Sequence, residues 1–363
     1  MTIETSSRKI DNIQALRGVA AMMVVMTHAM AFERKYIQGE RLLADWMTIG
    51  TAGVDLFFVI SGFIMVHITR GVFQKPAAIG EFVFHRLRRI YPLYWIYSAM
   101  LLPVLFLRPQ WVNEASGHVV NLLASFLLLP AEVFPLLQLG WSLIFEMYFY
   151  FLFAGLLFLP ERYAPMAVAA WVVAAPGAYF LLGPFDSPWL TLTTSPFCIE
   201  FALGCLVAFL VGRGKIYAGA LPVLSVAAVM LGFGASISFF SASPTVSWRV
   251  VVYGIPYALL VYAFVASELL GRFKSPRWLV QIGDSSYSLY LSHYLIIAAV
   301  VRLWSLFDVK GIVDNVVVIT LMVTATLVWA RISYVLFERP ILRGSAALWD
   351  RVFASRVVTG VLR

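Results

Sequence analysis

A chain of 363 residues that is 61% hydrophobic and only 13% charged, with a mean hydropathy of +0.85, departs from the roughly 45–50% apolar and about 25% charged composition of a soluble domain. That excludes a water-soluble enzyme, and equally a disordered chain, which needs low hydrophobicity and high net charge. The formal net charge of +8 reads as Lys and Arg placed at membrane-facing loops, not as a nucleic-acid surface.

In chain order, segments with the ~20 mostly apolar residues of a spanning helix lie at 11–33, 50–70, 88–107, 141–159, 164–182, 196–212, 219–240, 248–270, 286–305 and 313–336. Residues 1–9 are polar and carry Arg8 and Lys9. No small-residue cleavage site follows the first apolar run, so a retained helix is expected there, not a signal peptide. The run VVNLLASFLLLP at 119–130 is too short to span and predicts a re-entrant or interfacial segment. Cys198 and Cys205 are too few for a disulfide framework or a four-ligand zinc site. They read as two small core residues on one helix face. The end of the chain, 341–363, reads as a cytoplasmic tail. Within it, 346–362 has Leu348, Val352 and Phe353 on one side and Arg351 and Arg356 elsewhere, the pattern of a helix lying on the inner interface.

With both termini in the cytoplasm, ten spans place 18 of the 27 Lys and Arg inside and 7 outside, Arg17 and Arg331 lying within helices. This asymmetry follows the positive-inside rule. The expected fold is therefore all-α: a polytopic membrane protein of about ten transmembrane helices, N and C termini cytoplasmic, with one membrane domain over 1–340.

A charge near the bilayer centre costs about 2.5–3.5 kcal/mol, so such residues face the bundle interior and are functional candidates. Counted from the outer helix ends, His28, Asp55, Glu146 and Glu200 all fall roughly 6–8 Å deep. One imidazole and three carboxylates at one level predict an acid/base site near the outer side. The inner half carries Arg17, Arg86, Arg88, Arg89, Arg331 and His293, a cationic mouth suited to a phosphate-bearing ligand. Arg86 and Arg89 share a helix face and Arg88 points elsewhere, toward lipid headgroups. Arg17 and His28 are eleven residues apart, which returns nearly to the same face about 16 Å further along the axis. A thioester on a flexible pantetheine arm spans such a gap. Tyr290 and His293, three apart, either line that tunnel or bond between helices.

The bland readings are equally physical. His28 alone is compatible with a satisfied polar residue between helices, Glu146 with an Arg partner, and Asp55 with orienting the second helix. Glu338 and Arg339 read as a structural pair, and Ser61 and Gly62 as a close-packing site. The 11 Trp and 16 Tyr serve interfacial belts and core, and some on the outer face are placed to stack on sugars. No phosphate-binding glycine loop, metal-ligand spacing or serine-nucleophile elbow occurs.

The sequence resembles acyltransferase family three, integral-membrane enzymes that O-acylate cell-surface polysaccharides and lipids. The carriers are IQALRGVAAMMVVMTHA, GVDLFFVISGFIM at 53–65, FHRLRRIYPLYW at 84–95, WSLIFEMYFY at 141–150, SYSLYLSHY at 286–294 and FERP at 337–340, in order from about residue 10 to 340. It looks most like the branch that acetylates exopolysaccharides such as succinoglycan. The resemblance implies transfer of an acyl group, usually acetyl, from cytoplasmic acyl-CoA (acetyl-CoA) to a sugar hydroxyl of an exported polysaccharide or lipid-linked oligosaccharide, in the bacterial inner membrane. It assigns His28 as the essential histidine, Arg17 as its partner, Arg86 and Arg89 as the paired arginines and Glu146 as the glutamate of WS-x-x-x-E. His28 then acts as general base, its reference pKa of about 6.5 suiting that work, or as a transient acyl carrier. Glu146 and Asp55 join it as candidate catalytic groups. Arg17, Arg86, Arg89, Tyr290 and His293 are the candidate donor-binding groups, and no metal is implied. Two other functions use the same charges. One is a carrier or flippase for a glycan or anion, which favours inverted repeats that the chain does not show. The other is a sensor or scaffold, for which the polar interior is excessive.

Overall fold

A computed structural model describes residues 9–37, 41–183, 185–217, 220–240, 246–307 and 311–349, and holds no β-strand among them. The helices, in order, are α1 (Asp11–Tyr36), α2 (Gly53–Ile68), α3 (Pro76–Leu107), α4 (Leu122–Leu127), α5 (Gly140–Leu156), α6 (Ala164–Leu182), α7 (Pro188–Thr194), α8 (Phe197–Gly212), α9 (Ala220–Phe240), α10 (Val246–Arg249), α11 (Ile255–Leu269), α12 (Arg277–Asp284), α13 (Ser286–Trp304), α14 (Ile312–Ser333) and α15 (Arg339–Trp349). Eight helical stretches among the described residues are long and apolar enough to cross a membrane. They coincide with eight of the expected segments. The other two expected spans are the shorter apolar helices Gly140–Leu156 and Pro222–Ala235. α5 is short because the chain turns through Leu137–Leu139 just before it, Gly140 N donating to Leu137 O at 2.8 Å. The protein is an all-α polytopic membrane protein. Most of the expected interfacial tail, from residue 350 onward, lies outside the described residues.

Apolar side chains face outward as well as inward, as lipid requires. On α6, Val173, Phe180 and Leu181 are exposed, Leu181 to 85%. The interior forms two clusters. The larger joins α1, α2, α3, α5, α8, α11 and the start of α13. The smaller packs Ala21, Val25, Ala29 and Met30 of α1 against Leu289, Ile297 and Val301 of α13 and Val318 and Met322 of α14.

Between lipid-solvated helices burial gives no hydrophobic gain, so small residues that let backbones approach decide the contact. α2 and α8 meet this way. A Cβ on Gly62 would lie 1.9 Å from Phe201 O, and one on Gly204 would lie 1.9 Å from Val59 O. Gly62→Ala therefore forces the two helices apart at a cost of about 1–3 kcal/mol. A lower melting temperature in detergent is expected for Gly62→Ala and none for Gly155→Ala, whose Cβ would meet nothing within 4 Å. Cys198 and Cys205 are both buried and free; Cys205 Sγ lies 3.4 Å from Gly62 O at the same contact.

The 119–130 run forms the six-residue helix α4, N-capped by Asn121, whose Oδ1 accepts from Ala124 N at 3.0 Å. Its C-terminal carbonyls need donors, and the IYPLYW turn of α3 supplies them. Tyr91 Oη donates to Leu127 O, Tyr94 Oη to Ser125 O and Trp95 Nε1 to Phe126 O, each at 2.8 Å. The aromatic residues after the arginine pair thus fasten α4 to the flank of α3.

Candidate active site

The arginines that the sequence placed on one face converge. Arg17 of α1 and Arg86 and Arg89 of α3 line one cavity, together with Ser61 of α2, Glu146 and Tyr150 of α5, and Tyr290 of α13. It holds about 70 Å³ of water-accessible space, a narrow shaft. Arg17 is only 9% exposed and donates to Gln14 Oε1 at 3.4 Å. The Arg86 guanidinium lies over the rings of Phe82 and Tyr150 at 5.8 and 5.7 Å, and its buried Nε finds no acceptor among the described residues. None of the three is in an ion pair among those residues. Glu146 and Glu338 lie within electrostatic reach of these arginines, so three cations face two carboxylates, a positive excess that suits an anion.

The other inner cations go elsewhere, and the expected mouth narrows accordingly. Arg88 donates to Leu342 O at 3.0 Å and to Ser345 Oγ at 3.4 Å, tying α15 to α3. Arg331 is exposed and lies over Tyr334. Glu338 does not pair with Arg339. It accepts from Ser288 Oγ at 2.6 Å and Ser288 N at 3.2 Å, because a buried carboxylate needs donors within reach and the first turn of α13 presents two.

His28 of α1 and His293 of α13 sit side by side. Their ring centroids are 4.9 Å apart, and His293 Nε2 is 3.2 Å from His28 Nδ1. His28 Nδ1 is also 2.9 Å from Val24 O, and His293 Nδ1 is 3.2 Å from Leu289 O. A carbonyl only accepts, so in the neutral pair each Nδ1 carries the proton. His28 Nδ1–H then serves Val24 O and the lone pair of His293 Nε2. This leaves His28 Nε2 unprotonated. His293 is fully buried; its role as a wall of the donor shaft is replaced by contact with His28. Tyr290, one turn earlier, does line the shaft and is 2.6 Å from Ser142 Oγ.

The predicted single level of acid/base groups divides into three neighbourhoods. Glu146 does not orient His28. It accepts from Tyr150 Oη and, at 3.2 Å, from Ser61 Oγ, inside the arginine shaft. Equal depth along two helices says nothing about which faces turn toward each other. Tyr150, four residues after Glu146, was a readable partner at helical spacing. Asp55, fully buried, pairs with Arg249, whose Nε lies 3.1 Å from Oδ1. Glu200, also fully buried, lies beside the Asp55–Arg249 pair. Arg249→Ala leaves that carboxylate buried without its cation and is expected to cost about 3–5 kcal/mol, read as a lower melting temperature in detergent. Asp55→Asn retains transfer if the pair is structural; lost transfer at unchanged stability would return Asp55 to the chemistry.

Among the described residues no group of three or more His, Cys, Asp or Glu is placed to hold a metal ion.

The family profile described as an acyltransferase domain matches residues 10–335. The exopolysaccharide production protein ExoZ of Rhizobium meliloti (strain 1021) is 31% identical over 317 residues, covering 83% of this chain and 92% of its own length. The putative membrane-bound transacylase BcsY of Komagataeibacter xylinus is 28% identical over 360 residues, 90% of this chain and 82% of its own. The O-acetyltransferase OatA of Staphylococcus aureus is 26% identical over 373 residues, 93% of this chain but 58% of its own. No solved structure matches the chain.

Proposed function

The chain belongs to this acyltransferase family, and from that premise we propose that it moves an acetyl group from cytoplasmic acetyl-CoA to a sugar hydroxyl of an exported or lipid-linked polysaccharide at the bacterial inner membrane. The observation that supports the reading is the cavity in which Arg17, Arg86 and Arg89 converge without ion pairs and whose lining includes Tyr290, one helical turn before His293 on α13. The guanidiniums are suited to the donor's phosphates, since planar forks match phosphate oxygens bidentately. When bound, the thioester supplies an activated carbonyl and a thiolate leaving group.

His28 takes the proton of the acceptor hydroxyl at Nε2 as the sugar oxygen attacks the carbonyl carbon. The carbon–sulfur bond breaks and the same proton leaves with the sulfur, so the imidazole is restored. Val24 O and His293 Nε2 support the imidazolium that forms between these steps. General acid–base help of this kind contributes typically 10²–10⁴-fold.

The test uses purified protein in nanodiscs, acetyl-CoA labelled in the acetyl group, and oligosaccharides released from the host's own exported polysaccharide. Label is expected in the sugar as a base-labile ester. Label that remains in acetyl-CoA, with sugar moving across vesicles instead, would replace the reading with a carrier. Competition with succinyl-CoA reads the acyl preference.

A further inference from the structure

We propose that the acceptor sugar binds in a second cavity at the opposite end of the bundle, between Trp111, Tyr36 and Tyr294, with Gln110, Gln138 and Arg302 as its polar contacts. This rests on the acyl-transfer reading and gives that reaction its second substrate site.

The two cavities are lined by opposite ends of the same helices. The arginine shaft is lined by early residues of α1, α3 and α13: Arg17, Arg86, Arg89 and Tyr290. The second cavity is lined by late residues of the same helices, among them Phe32 and Tyr36 of α1, Leu101 and Val104 of α3, and Tyr294 and Arg302 of α13. Between Tyr290 and Tyr294 on α13 stands His293, against His28. The Tyr294 ring lies edge-on to His28, centroids 5.5 Å apart. Neither histidine lines the second cavity; Tyr294, which does, contacts His28 directly, so an occupant there lies one side chain from the histidine pair.

The chemistry of the lining is that of a carbohydrate site. At about 310 Å³ of water-accessible space it is several times roomier than the shaft. Ligand sites combine apolar or aromatic surface with a few convergent polar groups, and this one does so. Tyr294 packs edge-on against Phe32, centroids 5.0 Å apart. The Arg302 guanidinium lies over the rings of Tyr36 and Trp111 at 5.4 and 4.6 Å and donates to Tyr36 Oη at 3.1 Å. The Arg108 guanidinium also lies over Trp111, at 5.9 Å; these contacts fix the rings at the cavity wall, and Trp111 still keeps 50% of its surface exposed for a sugar ring to meet. The amides of Gln110 and Gln138 offer both donors and acceptors, as a hydroxyl-rich ligand requires. Lys35 and Glu114, also on the wall, pair with each other, and Lys35 holds the Glu114 carboxyl below its ordinary range. Arg302 is in no ion pair among the described residues.

The test measures equilibrium binding of tritiated oligosaccharides, obtained by partial hydrolysis of the host's exported polysaccharide, to protein in nanodiscs. Binding needs no turnover, so it separates this site from the acyl-transfer reading. The wild-type protein is expected to bind, and Trp111→Ala and Gln138→Ala each to weaken binding about tenfold or more, as truncating a stacking anchor or a hydrogen-bonding contact does. Trp278→Ala removes a comparably exposed indole from α12 (62%) and is expected to bind as wild type. No binding by the wild type, or wild-type binding by both cavity variants, overturns the proposal. Weakening by Trp278→Ala equal to that by Trp111→Ala also overturns it. Binding that depends on Trp111 without any turnover of acetyl-CoA keeps the sugar site and removes the transferase.

Discussion

Replacing His28 with alanine is expected to lower acyl transfer by about 10²–10⁴-fold while acetyl-CoA affinity stays near that of the wild type. The separation follows from position. His28 Nδ1 is occupied by Val24 O and His293 Nε2, which leaves Nε2 as the atom that meets a proton. Of the arginines proposed to answer the donor's phosphates, Arg17 lies roughly 16 Å away along the same helix, and Arg86 and Arg89 stand on α3. Removing the ring deletes the proton acceptor without touching them. Rapid-quench turnover with labelled acetyl-CoA divides the two mechanisms open to the residue. A general base leaves no label on the protein, whereas an acyl carrier shows up to one protein-bound acetyl group per active site before sugar is added, as a labile acyl-imidazole that hydroxylamine traps. Transfer at the wild-type rate by His28→Ala would remove the imidazole from the chemistry altogether.

How much of this was legible before the fold depends on the kind of information each residue needs. Helical periodicity relates residues on one helix, and such relations held. Arg86 and Arg89 share the shaft while Arg88 points out of it, as their spacing requires. Gly62 and its neighbour Ser61 read as a packing site, and Gly62 lies at a backbone contact. The order of the apolar helices followed from composition, because a bilayer admits few alternatives, but not their limits: α3 begins at Pro76, twelve residues before the expected span. Relations between helices were not legible. Depth placed Asp55, Glu146, Glu200 and His28 at one level, yet azimuth sends Asp55 to Arg249 and Glu146 to Tyr150 and Ser61. The His28–His293 contact joins residues 265 positions apart, and only the packing of α1 on α13 reveals it. The role of Tyr91, Tyr94 and Trp95 in fastening α4 was hidden for the same reason: hydrogen-bond donors can be counted in a sequence, but their acceptors cannot.

Arg86→Ala and Arg89→Ala are each expected to weaken acetyl-CoA binding by about 10–150-fold, the equivalent of losing one charge-assisted hydrogen-bonding group at about 1.5–3 kcal/mol. Lysine at either position restores charge but not the planar fork, so it regains only part of the loss. A structural role for these residues also predicts weakened binding, so the decisive comparison changes the ligand as well as the protein. S-acetylpantetheine keeps the thin arm and thioester but lacks the phosphates. The wild-type protein should bind it more weakly than acetyl-CoA, whereas the arginine variants should bind it as well as the wild type does. Two changes that remove one interaction from opposite sides cannot subtract twice, and that non-additivity identifies the contact. If Arg86→Ala and Arg89→Ala weaken acetylpantetheine and acetyl-CoA by the same factor, the guanidiniums hold the shaft open for reasons unrelated to phosphate. The Arg86 side chain, flanked by Phe82 and Tyr150 with its Nε unpartnered, would then be a buried cation for which the donor provides no explanation.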